Sequence, residues 1–171
     1  MTAAAARAPV RVGDSDIRMS ALLLLALAIA ISGLHSVLED ITWWFGAFGI
    51  MFVVFTIAAV VRFYLRRRWL ATLAAFIAGL IALTVFFATN TAILGFIPTG
   101  STFEKFGGLI AAANESIAVQ TLPAVATTGI QFLICLAVGG IAIFMDAVAI
   151  WGRAPALVGV PLLVIVAVPS L

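Results

Sequence analysis

Four long apolar runs, at about 19–38, 43–61, 69–93 and 127–150, limit what this chain can become more than any motif does. At 1.5 Å per residue, about 20 helical residues cross a ~30 Å hydrocarbon core. Lipid offers no partner to an unpaired backbone amide or carbonyl. Runs this long and this uniformly apolar must therefore satisfy their own hydrogen bonds as helices, and barrel strands are excluded. The charge content agrees: 9% of residues are charged and 65% hydrophobic, where a soluble domain carries roughly 25% charged residues. The expected fold is all-α, a polytopic membrane bundle with four full transmembrane helices and a partial fifth at 157–171. No polar flank follows Leu171, which suggests a truncated or split form of a longer protein.

Eight of the nine basic residues fall in alternate connections of these runs, all on one side. Arg7, Arg11 and Arg18 precede the first run, Arg62, Arg66, Arg67 and Arg68 separate the second from the third, and Arg153 follows the fourth. The intervening segments hold Glu39, Asp40, Glu104 and Glu115 against Lys105 alone. Retained cytoplasmic loops are rich in Lys and Arg, so this spacing predicts a plasma-membrane protein with its amino terminus in the cytoplasm. Residues 1–18 are expected to be a disordered cytoplasmic segment. Trp43-Trp44, Trp69 and Trp151 fall at run ends, where an amphipathic ring marks the headgroup level. Arg18 before a Leu/Ala block ending in Ala28-Ile29-Ala30 also has the form of a signal peptide, but the apolar character continues to Leu38 and favours a retained helix. The net charge of +2 does not indicate nucleic acid, because the arginines flank apolar runs instead of forming a phosphate-binding stripe.

The one long connection on the outer side is 94–126. Pro98-Thr99-Gly100 reads as a turn, and Ser101-Thr102-Phe103-Glu104 as a capping box. Phe103, Phe106, Ile110 and Ile117 recur at helical steps, which predicts an amphipathic helix on the outer surface or over the bundle.

Chemistry-bearing residues are few. With one cysteine and one histidine, the chain has neither an intrachain disulfide nor a histidine-rich metal or haem site, and no cofactor is expected. Asp146, a carboxylate inside an apolar run, is the sharpest candidate, as a proton or ion site or as an orienting charge answered by Arg153 seven residues on. His35 and Cys135 belong at different depths, which argues against a catalytic pair. They read as an interfacial polar residue and a small packing residue. Ser32 and Ser36 flank His35 without a nucleophile elbow. The 62–68 arginines read as an orientation signal that also touches anionic headgroups.

The stretch from Asp146 through Arg153-Ala-Pro155-Ala-Leu-Val-Gly159-Val-Pro161-Leu-Leu to Pro169 resembles the N-terminal membrane region of the TgpA-type transglutaminase-like proteins, in the form common in actinobacteria. The basic loop after the second run, Ile97-Pro98-Thr99 outside, and Pro123 before the fourth run fit the same order over about residues 20–171. The resemblance implies a transglutaminase-like domain with a Cys-His-Asp triad downstream of this region. Cys135 does not match that cysteine. Envelope proteins and a MoxR-type ATPase are the partners the resemblance implies. The function expected is a non-catalytic membrane anchor and scaffold, with a small transporter or channel subunit built on Asp146 as the alternative and an intramembrane enzyme using Cys135 and His35 as a further one.

Overall fold

The computed structural model describes residues 12–33, 42–65, 68–119, 127–151 and 155–167. Helices α1 (Val12–Ser32), α2 (Thr42–Leu65), α3 (Arg68–Phe87), α4 (Gly100–Val119), α5 (Thr128–Asp146) and α6 (Gly159–Ala167) carry the fold. Among the described residues no strand forms, and a single isolated bridge joins Ile93 to Ile97.

Three stretches are long and apolar enough to cross a membrane: Trp43–Leu65, Trp69–Phe87 and Thr128–Ala149. The apolar part of α1, Arg18–Ser32, is shorter than a full crossing, and α6 is nine residues long. Helix α1 begins at Val12, so residues 12–18 are helical where disorder was expected. The third run also ends earlier than its composition implied. Helix α3 stops at Phe87, a 3₁₀ turn follows at Thr89–Thr91, and Ile93 and Ile97 close a tight turn through reciprocal 3.0 Å bonds. Leu94 and Gly95 both take positive φ there, the pairing that closes two-residue turns of the primed type. An apolar run need not be one helix when a turn of this kind offers its backbone another set of partners.

Because the spanning helices are apolar all round, hydrophobicity does not mark their inner faces. Small residues do. Ala71, Ala75, Gly79 and Ala82 of α3 are buried at steps of four, four and three, and Ala47 and Ala58 of α2 and Ala142 of α5 are fully buried. Close approach follows. A Cβ built on Gly46 would lie 3.2 Å from the Cys135 sulfur, and one on Gly139 would lie 3.0 Å from Ile50. These contacts run α2 and α5 in the same direction. Gly49 against Phe86 and Gly79 against Val54 run α3 opposite to α2. Large apolar side chains such as Leu22, Ile29, Phe52, Phe63 and Phe76 remain more than half exposed, an outer surface suited to lipid.

Helix α4 packs on the first turns of α5, antiparallel to it. Phe106 lies against Phe132 at 4.9 Å between ring centroids, and Phe87 of α3 meets the same Phe132 edge-on at 5.3 Å. The buried face of α4 is Thr102, Phe106 and Ala113, with Leu109 and Ile110 half-buried. Phe103 and Ile117, expected on that face, are 54% and 59% exposed. The start of α4 also differs from the expected capping box. Thr99 precedes the helix, and the Thr102 hydroxyl, not Glu104, makes the return bond, accepting from the Thr99 amide at 3.1 Å. Thr99 and Thr102 hydroxyls both donate to the Thr91 carbonyl, at 2.7 and 3.2 Å, and tie the turn to the helix.

Helix α5 ends in a π turn, Ala147–Trp151, and a 3₁₀ turn at Pro155–Val158 leads into α6, which packs against α1.

Candidate functional site

Asp146 is the last α-helical residue of α5 and is 1% exposed. Since α5 and α2 run the same way, their carboxyl-terminal ends meet. Each helix end carries about half a negative charge, and a carboxylate placed there adds to it. A cation is needed, and α2 supplies one. Arg62, three residues before the end of α2, turns inward with its side chain 4% exposed. Its Nη1 donates to both Asp146 oxygens, at 2.8 and 2.7 Å, and its Nη2 donates to Ser20 Oγ of α1 at 2.6 Å. Ser20 is itself 3% exposed. Three helices therefore converge on one guanidinium. Arg62 Nε is buried without a partner, so the cluster is tight but not saturated.

This changes the roles read from the sequence. Arg62 was grouped with Arg66, Arg67 and Arg68 as an orientation signal; it lies inside α2 and binds Asp146 instead. The expected answer to Asp146 was Arg153, which lies outside the described residues, as do Arg66 and Arg67. Arg68 opens α3, Pro155 opens the 3₁₀ turn, and Gly159 and Pro161 lie half-buried in the first turn of α6. Ser20 was missed altogether. The signal for it was position: a hydroxyl just inside the first run, a guanidinium just past the end of the second, and a carboxylate near the end of the fourth fall at one end of their runs.

The other candidates separate. Cys135 is buried against Gly46, in keeping with a packing residue, while His35 and Ser36 lie outside the described residues. Ser32 bonds back to the Ala28 carbonyl at 2.8 Å, as a helix-surface serine does. Among the described residues, no group of three His, Cys, Asp or Glu could hold a metal. Trp43, expected at the headgroup level, is 1% exposed and turned into the bundle, with its indole nitrogen unpartnered. Trp44 beside it is half-buried and stacks on Phe48 at 5.1 Å.

Chemically, the cluster is a closed ion pair. A buried carboxylate with both oxygens held by a guanidinium is neutralised where it stands, and the buried charge is tolerated because its partner is bonded to it. Comparison with curated proteins returns no match, and comparison with solved structures returns none. The family model described as the TgpA N-terminal domain matches residues 25–171, which takes in α2 to α6, Arg62 and Asp146. An all-helical fold with membrane-length apolar helices, matched over this span, places the chain in the TgpA N-terminal domain family.

Proposed function

We propose that the chain is a non-catalytic membrane-anchoring scaffold, the membrane-embedded part of a transglutaminase-like cell-envelope protein. The observation that carries this reading is the closed Arg62–Asp146–Ser20 cluster. The carboxylate that could have served transport is already bonded on both oxygens, and the bonds join three helices at one end of the bundle. That arrangement serves fixed architecture better than ion passage. In this reading α1, α2, α3 and α5 cross the plasma membrane and α6 begins a fifth crossing. The amino terminus is cytoplasmic, and α4 with the 93–97 turn faces outward. That outer face is the docking surface for a transglutaminase-like domain or another envelope protein, and a MoxR-type ATPase is the expected partner on the basic side.

Two measurements test it. In a Cys135→Ala background, Ser101→Cys should react with a membrane-impermeant maleimide on intact cells, whereas Thr2→Cys should react only after lysis; the reverse pattern would overturn the topology. Reconstituted in proteoliposomes, the protein should show no proton or ion flux that Asp146→Asn removes. An Asp146-dependent flux would replace the scaffold with a transporter.

A further inference from the structure

A groove of about 520 Å³ runs between α1 and α2 on the outer surface of the bundle. Its wall on α2 is the row Phe52, Thr56, Val60 and Tyr64, one residue per turn, and Leu24 and Ser20 line it from α1. Twelve residues of helix separate Phe52 from Tyr64, or about 18 Å, which is a little over one leaflet of a ~30 Å hydrocarbon core. The groove is largely apolar, with Thr56 partway along it, and Ser20 and Tyr64 place two hydroxyls in its lining towards the Arg62 end. Ser20 is also the residue that accepts from Arg62, so the groove ends beside the ion pair.

Charge decides what fits there. Asp146 is neutralised by Arg62 and leaves no free charge. Arg18, two residues before Ser20, is exposed, and Arg66, Arg67 and Arg68 follow Tyr64 closely in sequence. Only Asp14 and Asp16 oppose these four cations on the neighbouring stretch of α1. A neutral helix from another protein would leave that positive end unanswered.

We infer that this groove is a binding site for one anionic glycerophospholipid of the leaflet at the Arg62 end, with an acyl chain along Phe52–Tyr64 and the phosphate beside Arg18 and Tyr64. The inference uses the placement of α1 and α2 in the bilayer, and it does not depend on the scaffold function. The tyrosine hydroxyl and the arginine donate to phosphate oxygens, the short Thr56 and Ala59 leave room for the chain, and Ser20, at the headgroup end, adds no charge of its own.

Native mass spectrometry of the detergent-purified chain tests the site, with phosphatidylglycerol and phosphatidylcholine of identical acyl chains added in equal amounts. Phosphatidylglycerol should be retained at least fivefold more than phosphatidylcholine. Thr56→Trp, which fills the groove from an exposed position, should abolish the bound lipid of both kinds. Arg18→Gln should lower phosphatidylglycerol retention about fivefold, the change that ~1 kcal/mol per surface cation corresponds to, while phosphatidylcholine stays unchanged. A circular dichroism spectrum matching that of the parent shows that each variant is folded. Equal retention of the two lipids, or retention indifferent to Thr56→Trp, would overturn the proposal. Dimers trapped by Thr56→Cys in a Cys135→Ala background would overturn it too, by showing that a second copy covers the groove.

Discussion

Replacing Asp146 with Asn leaves a buried guanidinium without its counter-charge, and the cost follows from where Arg62 lies. Its side chain is 4% exposed, and breaking a buried pair by removing one partner costs about 3–5 kcal/mol. Two features lower that figure. Arg62 is three residues from the end of α2, so a shift of about 4.5 Å along the axis brings it towards the headgroups. Ser20 also continues to accept from Nη2. A loss of about 2–3 kcal/mol is expected, well above the ~0.6 kcal/mol typical of interhelical hydrogen bonds in membranes. Removing both charges should cost far less, because Arg62→Met with Asp146→Leu keeps the volume and leaves nothing unpaired; within ~1 kcal/mol of the parent is expected. The single variants of the cycle are Arg62→Met and Asp146→Leu; each leaves one buried charge unpaired at a cost of about 2 kcal/mol or more, so with the double variant within ~1 kcal/mol of the parent the coupling energy is about 3 kcal/mol. The assay is equilibrium unfolding by sodium dodecyl sulfate in mixed micelles, followed by tryptophan fluorescence, for the parent, both single variants and the double variant. Additive effects, with coupling under about 0.5 kcal/mol, would refute the reasoning and make the pair incidental to the fold.

The opposite end of the bundle gives two further tests. A Cβ on Gly129 would lie 2.8 Å from both the Ala113 amide nitrogen and the Leu109 carbonyl oxygen, backbone atoms that cannot rotate away. Gly129→Ala should therefore push α4 off α5 at a cost of about 1–3 kcal/mol and speed endoproteinase Lys-C cleavage at Lys105, and an unchanged cleavage rate would contradict that packing. Thr102→Val keeps the shape but removes the hydroxyl that accepts from the Thr99 amide, at about 1–3 kcal/mol, and the Thr99 amide should exchange with deuterium faster than in the parent.

How much was legible beforehand depends on which physical signal each feature carries. The membrane-length helices announce themselves because lipid forces long apolar segments into helices. Helix α4 was visible from its turn and its periodicity, but its inner face was not. Phe103 and Phe106 are equally apolar, and only the close approach of Ala113 and Leu109 to Gly129 turns Phe106 inward and leaves Phe103 outside. The Arg62–Asp146 pair was hidden for a different reason. The residues lie 84 positions apart, and sequence spacing favours a partner on the same helix, as Arg153 would have been. Position along the run was available as a clue, since α2 and α5 run in the same direction. What position does not tell is which helices are neighbours, and the small residues Gly46 and Gly139 that join α2 to α5 look like any other small residues in an alanine-rich chain.

The π turn at Ala147–Trp151 begins immediately after Asp146. A turn closed by i→i+5 bonds holds one more residue than its α equivalent, so it acts as a phase slip in the helix. Upstream of it, Arg62 fixes the rotation of α5 through Asp146. Within the π turn, side-chain directions no longer follow the α period set by Asp146. Losing one residue within 147–150 would restore an α turn without disturbing Asp146, because the wide turn is what takes up the extra residue. The chain thus holds, directly after the ion pair, a point where its length can change by one residue while α5 keeps the rotation that Arg62 sets.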